Sequence, residues 1–216
     1  MNTRHYLLFT CLIIAGISHA QKVDETYNQK IKEYTTDPRF LPSSVLNLID
    51  DPKVPSPLKH FGSIIGAPGV MHRTPEIYGY FKKLTEVSPL IKMEQIGTSE
   101  EGRPIQLITI SSEENLKRLD HYKRQLALLS DPRKITGDVS AIINDSKPVY
   151  YFNAGLHSPE MGSPEVVMEL AYRLITDPSA EMKEILNNVI ILINPASEPD
   201  GRDKQVDWYY RYTKGR

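Results

Sequence analysis

The fold is decided by Val149–Glu160, which reads V-Y-Y-F-N-A-G-L-H-S-P-E. Its first part, Val149–Leu156, is an apolar run that is typical of a β-strand and that ends in a turn of small residues. Because the run is continuously apolar, we expect a strand that is buried on both faces, as in a parallel sheet. His157 and Glu160 follow directly and stand three positions apart. The strand therefore delivers an imidazole and a carboxylate to one end of the sheet.

A second strand of the same kind is predicted over Val189–Asn194, which reads V-I-I-L-I-N. Between the strands, one helix is predicted to start at Ser163-Pro164-Glu165 and a shorter one to span Ala180–Asn187. A strand, a helix and a second apolar strand form the βαβ pattern of a parallel sheet. Because sites in such sheets lie beyond the carboxyl ends of the strands, we expect the turn with His157 to face Pro199-Asp200-Gly201.

The upstream half of the chain adds a hairpin and two helices. The hairpin strands are predicted over Ile91–Thr98 and Pro104–Ser111, joined by the charged turn Glu100-Glu101-Gly102-Arg103. One helix is predicted to begin with Thr74 as its N-cap, and another to span Glu113–Asp131. The fold class is therefore α/β, with a mixed, largely parallel sheet flanked by helices.

Composition excludes some functions. The 216 residues, 40% of them hydrophobic, are enough for one sizeable core. The formal net charge of −1 and the pI of about 6.6 provide no basic field for a nucleic-acid backbone, so we expect no nucleic-acid partner.

The N-terminus is typical of a secretory signal peptide. Arg4 precedes a nearly apolar run over Tyr6–Ile17, and small residues follow with a cleavage site near Ala20. The run is shorter than the ~20 apolar residues of a transmembrane helix, so we expect no stable membrane anchor after cleavage. Cleavage also removes Cys11, the only cysteine, which excludes a thiol nucleophile in the mature chain. We expect a secreted or periplasmic protein.

His157 and Glu160 are the candidate metal ligands. A neutral imidazole and a carboxylate at this spacing can reach one divalent ion from a single turn, and Zn²⁺ accepts such nitrogen and oxygen ligands. A catalytic zinc typically has three protein ligands and a water, so a third ligand is needed. The H-x-x-E pattern is also compatible with a hydrogen-bonded pair in a loop. Its place after an apolar strand, between Gly155 and Gly162, favours the metal site.

The stretches around this pair make the pattern more specific. They are Gly155–Glu160, Val166–Leu174, Ile190–Asn194 with Pro199-Asp200-Gly201, and, upstream, Ile96–Pro104 with its Glu-Gly-Arg turn. Together they resemble the M14 family of zinc metallocarboxypeptidases, in a secreted bacterial-type branch. The similarity runs from about Phe61 to Trp208–Tyr212.

The resemblance implies one zinc ion at the strand ends, held by His157, Glu160 and a second histidine much further along the chain. It also implies that the zinc polarises the scissile carbonyl and activates water, that a downstream glutamate is the general base, and that the substrate is the C-terminus of a peptide or protein. His60 and His72 are interpreted as ordinary loop residues. No histidine follows His157, so we expect the third ligand and the base beyond Arg216.

Three segments are therefore predicted. Residues 1–20 are the signal peptide, and residues 21–70 are a Pro-rich N-terminal segment with a short helix near Ser43–Ile49. Residues 71–216 are the N-terminal part of a truncated zinc carboxypeptidase-like catalytic domain, incomplete at its C-terminus. Since two ligands hold zinc weakly and no general base is present, this chain alone is expected to be inactive.

Several roles stay open at the level of sequence. The family's Asn-Pro-Asp-Gly appears here as Glu198-Pro199-Asp200-Gly201. Asp200 is either a hydrogen-bonding partner of a zinc-bound His157 or part of a simple turn. The run Trp208–Tyr212, with Arg211, either lines a substrate groove or packs along the edge of a strand or loop.

Two other functions are also open. Zinc deacylases of small N-acyl amino acids share the architecture, and fold alone does not determine function. The signal peptide and the Glu-Gly-Arg turn favour the peptidase. A secreted, non-catalytic binding module with a degraded site is the third possibility, and Glu198 and the missing ligands are the reasons to consider it.

Overall fold

The computed structural model describes residues 22–215 as one four-stranded sheet with helices packed against it. The strands are β1 (Ile91–Thr98), β2 (Pro104–Ile110), β3 (Val149–Asn153) and β4 (Ile190–Asn194). The helices are α1 (Glu25–Tyr34), α2 (Pro57–Phe61), α3 (Thr74–Val87), α4 (Glu113–Lys117), α5 (Leu119–Ser130), α6 (Val139–Asp145), α7 (Gly162–Thr176), α8 (Ala180–Asn188) and α9 (Pro199–Tyr212).

The sheet is mixed, with the strand order β1-β2-β4-β3. The β1–β2 hairpin is antiparallel, with Ile91 opposite Ile110, and β2 also pairs antiparallel with β4. Strands β3 and β4 are parallel and in register from Val149 opposite Ile190 to Asn153 opposite Asn194. The predicted α/β fold with a mixed sheet flanked by helices is confirmed. Within residues 22–215, two of the three strand pairings are antiparallel and the βαβ unit supplies the parallel one.

One face of the sheet carries the main core. Side chains in β2 and β4 alternate between the two faces, so Ile108 and Ile193 lie under α3 and α7 while Leu107 and Leu192 lie on the opposite face near α5. The fully buried side chains of α3 and α7 that fill this core are Ile77, Tyr80, Phe81, Leu84, Met168, Ala171 and Tyr172. Helices α3 and α7 therefore pack on the sheet whose strand β3 leads to His157 and Glu160.

The expectation that the first apolar strand is buried on both faces is wrong. Strand β3 pairs with β4 on one side only within residues 22–215, and Tyr150 and Tyr151 are 60% and 51% exposed. An apolar run shows that a residue prefers burial, but it does not show whether the strand lies in the centre or at the edge of a sheet. The strand also ends at Asn153 and not at Leu156, because the chain turns at Gly155.

Two helix boundaries also differ from the prediction. Helix α3 has Arg73 as its N-cap, with the Arg73 N–H donating to Glu76 at 2.8 Å. The hydroxyl of Thr74 donates to Asp203 at 2.9 Å and caps nothing. The single helix predicted over Glu113–Asp131 is two helices, divided at Arg118, whose φ of −107° and ψ of 14° are not helical. The buried Asn115 amide donates to the Leu186 and Asn187 carbonyls and anchors α4 to the end of α8.

Residues 22–70 share the core of the rest of the chain. The hydroxyl of Tyr27 in α1 donates to Glu169 of α7 at 2.7 Å, and Tyr172 donates to the Ile49 carbonyl at 2.6 Å. The short helix predicted near Ser43–Ile49 is a single 3₁₀ turn over Ser43–Val45. This N-terminal segment therefore packs against α7 and is held there by hydrogen bonds to Glu169 and Tyr172.

The predicted signal peptide, residues 1–20, lies outside the described residues. Within residues 22–215, no helix is both long enough and apolar enough to cross a membrane.

We predict that Tyr27→Phe destabilises the protein. The Tyr27 ring is fully buried, and its hydroxyl donates to Glu169 and accepts the Ile65 N–H at 3.2 Å. Removing it leaves two partly buried groups without this partner, which should lower the free energy of unfolding by about 1–3 kcal/mol. Urea denaturation measures the change.

Tyr34→Phe is the matched control, because Tyr34 lies on the same helix and its hydroxyl makes no hydrogen bond within the described part of the chain. Its effect should stay within about 0.5 kcal/mol. Equal unfolding midpoints for the two variants would contradict the role assigned to the N-terminal segment.

Candidate metal centre

The loop that connects β3 to α7, residues 154–161, carries His157 and Glu160 and is called the metal loop. It begins with a sharp turn after β3. Gly155 has φ of +64°, which is a left-handed conformation that favours glycine. A Cβ at this position would also lie 3.0 Å from Cγ of Pro164 and 3.4 Å from Cα of Ala196. Its N–H donates to the hydroxyl of Ser163 at 3.0 Å. Backbone conformation and crowding together require glycine where the chain leaves the sheet.

The two predicted ligands lie side by side at the end of this turn. Nδ1 of His157 is 2.9 Å from Oε1 of Glu160, and the two side chains are 67% and 62% exposed. The geometry is that of the hydrogen-bonded loop pair that the sequence also allowed. Both side chains are largely open to solvent, and a zinc ion would displace the proton between them on binding.

The donor set fits zinc in type and falls short in number. Imidazole nitrogen and carboxylate oxygen are normal zinc ligands, and a catalytic site uses three of them. Within residues 22–215, no group of three or more His, Cys, Asp or Glu side chains is arranged to hold a metal ion. His157 and Glu160 therefore supply two ligands of an incomplete set, and their role as zinc ligands stays a prediction.

Helix α9 holds the loop from the other side. Glu198 is its N-cap, and one carboxylate oxygen accepts the Gly201 N–H at 2.7 Å and the Ser158 hydroxyl at 2.8 Å. The Glu198 N–H donates to the Gly155 carbonyl at 3.1 Å. Glutamate can therefore replace the family's asparagine as the cap. The Pro199-Asp200-Gly201 segment is the first turn of a helix and not an isolated turn.

Gly201 allows this contact. A Cβ at position 201 would overlap both the Ser158 hydroxyl and the Glu198 carboxylate. Position 201 therefore admits no side chain while the loop keeps its place. The glycine of the Pro-Asp-Gly motif is thus explained by the close packing of α9 against the metal loop.

Asp200 is not a partner of His157. Its carboxylate accepts hydrogen bonds from Ser99 and Arg103, both at 2.7 Å, and from the Glu101 N–H at 3.2 Å. Burial raises the pKa of Asp200, but the hydrogen bonds from Ser99 and Arg103 outweigh it and hold the pKa below its usual value. Asp200 therefore joins α9 to the turn of the β1–β2 hairpin.

A buried polar cluster beside the loop is missing from the sequence-based prediction. His72 is 4% exposed, and Nδ1 of its ring is 2.7 Å from Oε2 of Glu165 in α7. Arg202 of α9 is 2% exposed and contacts the other oxygen of Glu165. His72 thus lies in the loop before α3, and its side chain is buried there. No local pattern could find the cluster, because these contacts span 93 and 37 positions.

The aromatic run Trp208–Tyr212 lies on α9 and not on a strand or loop. Trp208 and Tyr212 are 51% and 48% exposed, while the Tyr210 hydroxyl is bonded to the main chain of Met71 at 2.9 Å. Tyr210 is therefore structural. The groove role for Trp208, Tyr212 and Arg211 stays a prediction.

Comparisons with known proteins agree with the sequence resemblance. The sequence model of the Peptidase M14 family, described as zinc carboxypeptidase, matches residues 77–214. The structure is similar to that of thrombin-activatable fibrinolysis inhibitor, with 17% identity, a TM-score of 0.46, and coverage of 68% of this chain and 32% of that one.

Two further solved structures give similar values. For carboxypeptidase A from Helicoverpa armigera, the identity is 20% and the TM-score 0.45, with 66% and 27% of the two chains covered. For a metallo-carboxypeptidase from Burkholderia cenocepacia, the identity is 18% and the TM-score 0.41, and the match covers 59% of this chain and 27% of that one. The chain thus spans about a third or less of the length of these proteins.

We predict that Gly201→Ala displaces the metal loop. The new methyl group must push Ser158 and Glu198 away, so we expect a loss of stability of about 1–3 kcal/mol and weaker zinc binding. Thermal unfolding and zinc titration measure the two effects.

The control is Gly79→Ala in α3, where a Cβ would meet nothing within 4 Å. This helical substitution should stabilise the protein by about 0.5–1 kcal/mol. If both variants were stabilised, the close packing at Gly201 would not be required.

Proposed function

The chain belongs to the M14 zinc carboxypeptidase family, and we propose that the protein hydrolyses the C-terminal peptide bond of peptides or proteins at a zinc site that includes His157 and Glu160. One observation carries the proposal. An imidazole and a carboxylate lie 2.9 Å apart, exposed, in a tightly held loop at the carboxyl end of β3. This is where an α/β sheet places its active site.

In this proposal, His157 and Glu160 would hold the zinc, and the full protein supplies a third ligand and a general base from elsewhere. When bound, zinc polarises a carbonyl and lowers the pKa of a water molecule. The residues of this chain do the positioning. Glu198 fixes Ser158, and Gly155 directs the loop away from β3.

We also propose that the protein acts outside the cytoplasm. The support is the N-terminal sequence, with Arg4, the apolar run over Tyr6–Ile17 and a cleavage site near Ala20. A carboxypeptidase in that compartment would act on peptides present outside the cell or in the periplasm.

We predict that His157→Ala in the full protein weakens zinc binding by at least about 100-fold, since even outer-shell substitutions cost 10–100-fold. Hydrolysis of a peptide with a free C-terminal carboxylate should be lost with it. Calorimetry with zinc and a peptide-release assay measure the two effects.

His121→Ala is the matched control, because His121 also lies beside a carboxylate, with Nε2 2.7 Å from Asp145, but far from the loop in sequence and on α5. It should change neither zinc binding nor hydrolysis. Unchanged zinc affinity in His157→Ala would refute the metal site, and equal cleavage of a peptide with an amidated C-terminus would refute the carboxypeptidase assignment.

We predict that residues 21–216 alone show little or no turnover. Two ligands hold zinc weakly, and no third His, Cys, Asp or Glu within residues 22–215 completes the set. Measurable release of a C-terminal residue by this purified chain, lost in Glu160→Gln, would show that two ligands suffice.

A further inference from the structure

Arg202 is the most deeply buried charged side chain described in the structure. Its Nε and Nη2 donate to the His72 carbonyl at 3.0 and 2.8 Å, and Nη1 donates to the Met161 carbonyl at 2.9 Å. Nη2 also contacts the Glu165 carboxylate. One guanidinium group therefore connects three separate parts of the chain, namely the segment before α3, the end of the metal loop and the first turn of α7.

The chemistry of the group explains why the residue is arginine. Burial lowers the pKa of Arg202, while the Glu165 carboxylate opposes this effect, and a guanidinium stays charged in proteins. Its planar fork can satisfy several acceptors at fixed angles, whereas a lysine ammonium is a single point charge.

Stability alone is a weak reason for this arrangement. Buried ion pairs are often no more stabilising than apolar residues of similar volume, because desolvation offsets the Coulomb attraction. The value of such a group lies in the geometry that it enforces, so the position of its acceptors indicates its role.

The Met161 carbonyl is the acceptor that matters for the metal loop. Met161 directly follows Glu160 and is the N-cap of α7. The loop is held at its start by the contacts of Gly155 with Ser163 and Glu198, and at its middle by Ser158. Arg202 fixes the end of the loop through its hydrogen bond to the Met161 carbonyl.

We propose that Arg202 is a positioning residue for the metal centre: by fixing the Met161 carbonyl, it sets the place of Glu160 beside His157. Glu165 balances the charge, and His72 orients Glu165 through its ring and its N–H. This inference rests on the proposed zinc site, but the order of the loop that it describes can be measured without metal.

The test compares Arg202→Lys with Arg173→Lys in the full protein. Arg173 is the matched control, because it also bridges several acceptors, namely Glu169, Asn47 and the Val45 carbonyl, on the far end of α7. Hydrogen exchange is measured in metal-free protein at the Glu160 and Met161 amides, which donate to the His157 and Pro159 carbonyls at 3.0 Å. We expect exchange at least about 10-fold faster in Arg202→Lys and unchanged in Arg173→Lys. Equal exchange in the two variants would overturn the proposal.

Zinc affinity is the second measurement. We expect Arg202→Lys to lose about 10–100-fold, as for other outer-shell substitutions, with Arg173→Lys unchanged. If His157→Ala abolishes zinc binding and Arg202→Lys leaves it intact, Arg202 does not position the ligands. If His157→Ala leaves zinc binding intact, the zinc site itself is refuted, while the exchange result still decides whether Arg202 orders the loop.

A second variant covers a failure of Arg202→Lys to fold. Glu165→Gln/Arg202→Gln removes both charges together, so no buried charge is left without its partner. The same faster exchange of the Glu160 and Met161 amides is expected. Wild-type exchange in this folded double variant would overturn the proposal equally.

Discussion

The candidate site depends on the close contact between the first turn of α9 and the loop that follows β3. Gly201 packs directly against the Ser158 side chain, and a side chain at position 201 would have no room there. The contact brings the Glu198 carboxylate within hydrogen-bond distance of both segments. Because α9 follows β4 and the loop follows β3, the parallel pairing of the two strands places them at the same edge of the sheet.

The same turn of α9 is tied to the β1–β2 hairpin through charge. Arg103 of the hairpin turn donates to Asp200 at 2.7 Å and to Asp203 at 2.9 Å, and Asp203 accepts the Thr74 N–H at the start of α3. Two short motifs that lie about a hundred positions apart thus form one structural unit. The Glu-Gly-Arg turn and the Pro-Asp-Gly segment are coupled because Arg103 of the first pairs with Asp200 of the second and with the nearby Asp203.

The elements of the fold were predictable where local physics decides them. Strand β1, the charged hairpin turn and the βαβ unit follow from alternation, turn residues and apolar runs, and α8 ends within one residue of the predicted position. The exposed edge of β3 was not predictable, because the pairing of a strand depends on which segments reach it. The cap of α3 was missed for a related reason, since Thr74 makes a hydrogen bond to Asp203 that no local rule anticipates.

The same distinction explains which parts of the site were predictable. His157 and Glu160 are three positions apart, so one turn holds both, and their proximity follows from the sequence. Their support comes from residues far along the chain, such as Glu198 and Arg202, whose roles depend on the assembled fold.

The substitution of Glu198 for the family's asparagine illustrates the point. In sequence it is one reason to consider a degraded site, and in the structure its carboxylate caps α9 and accepts a hydrogen bond from Ser158. Most of the motif residues by which the chain resembles its family therefore build the frame of the site, and within residues 22–215 we assign the chemistry to the exposed pair in the loop.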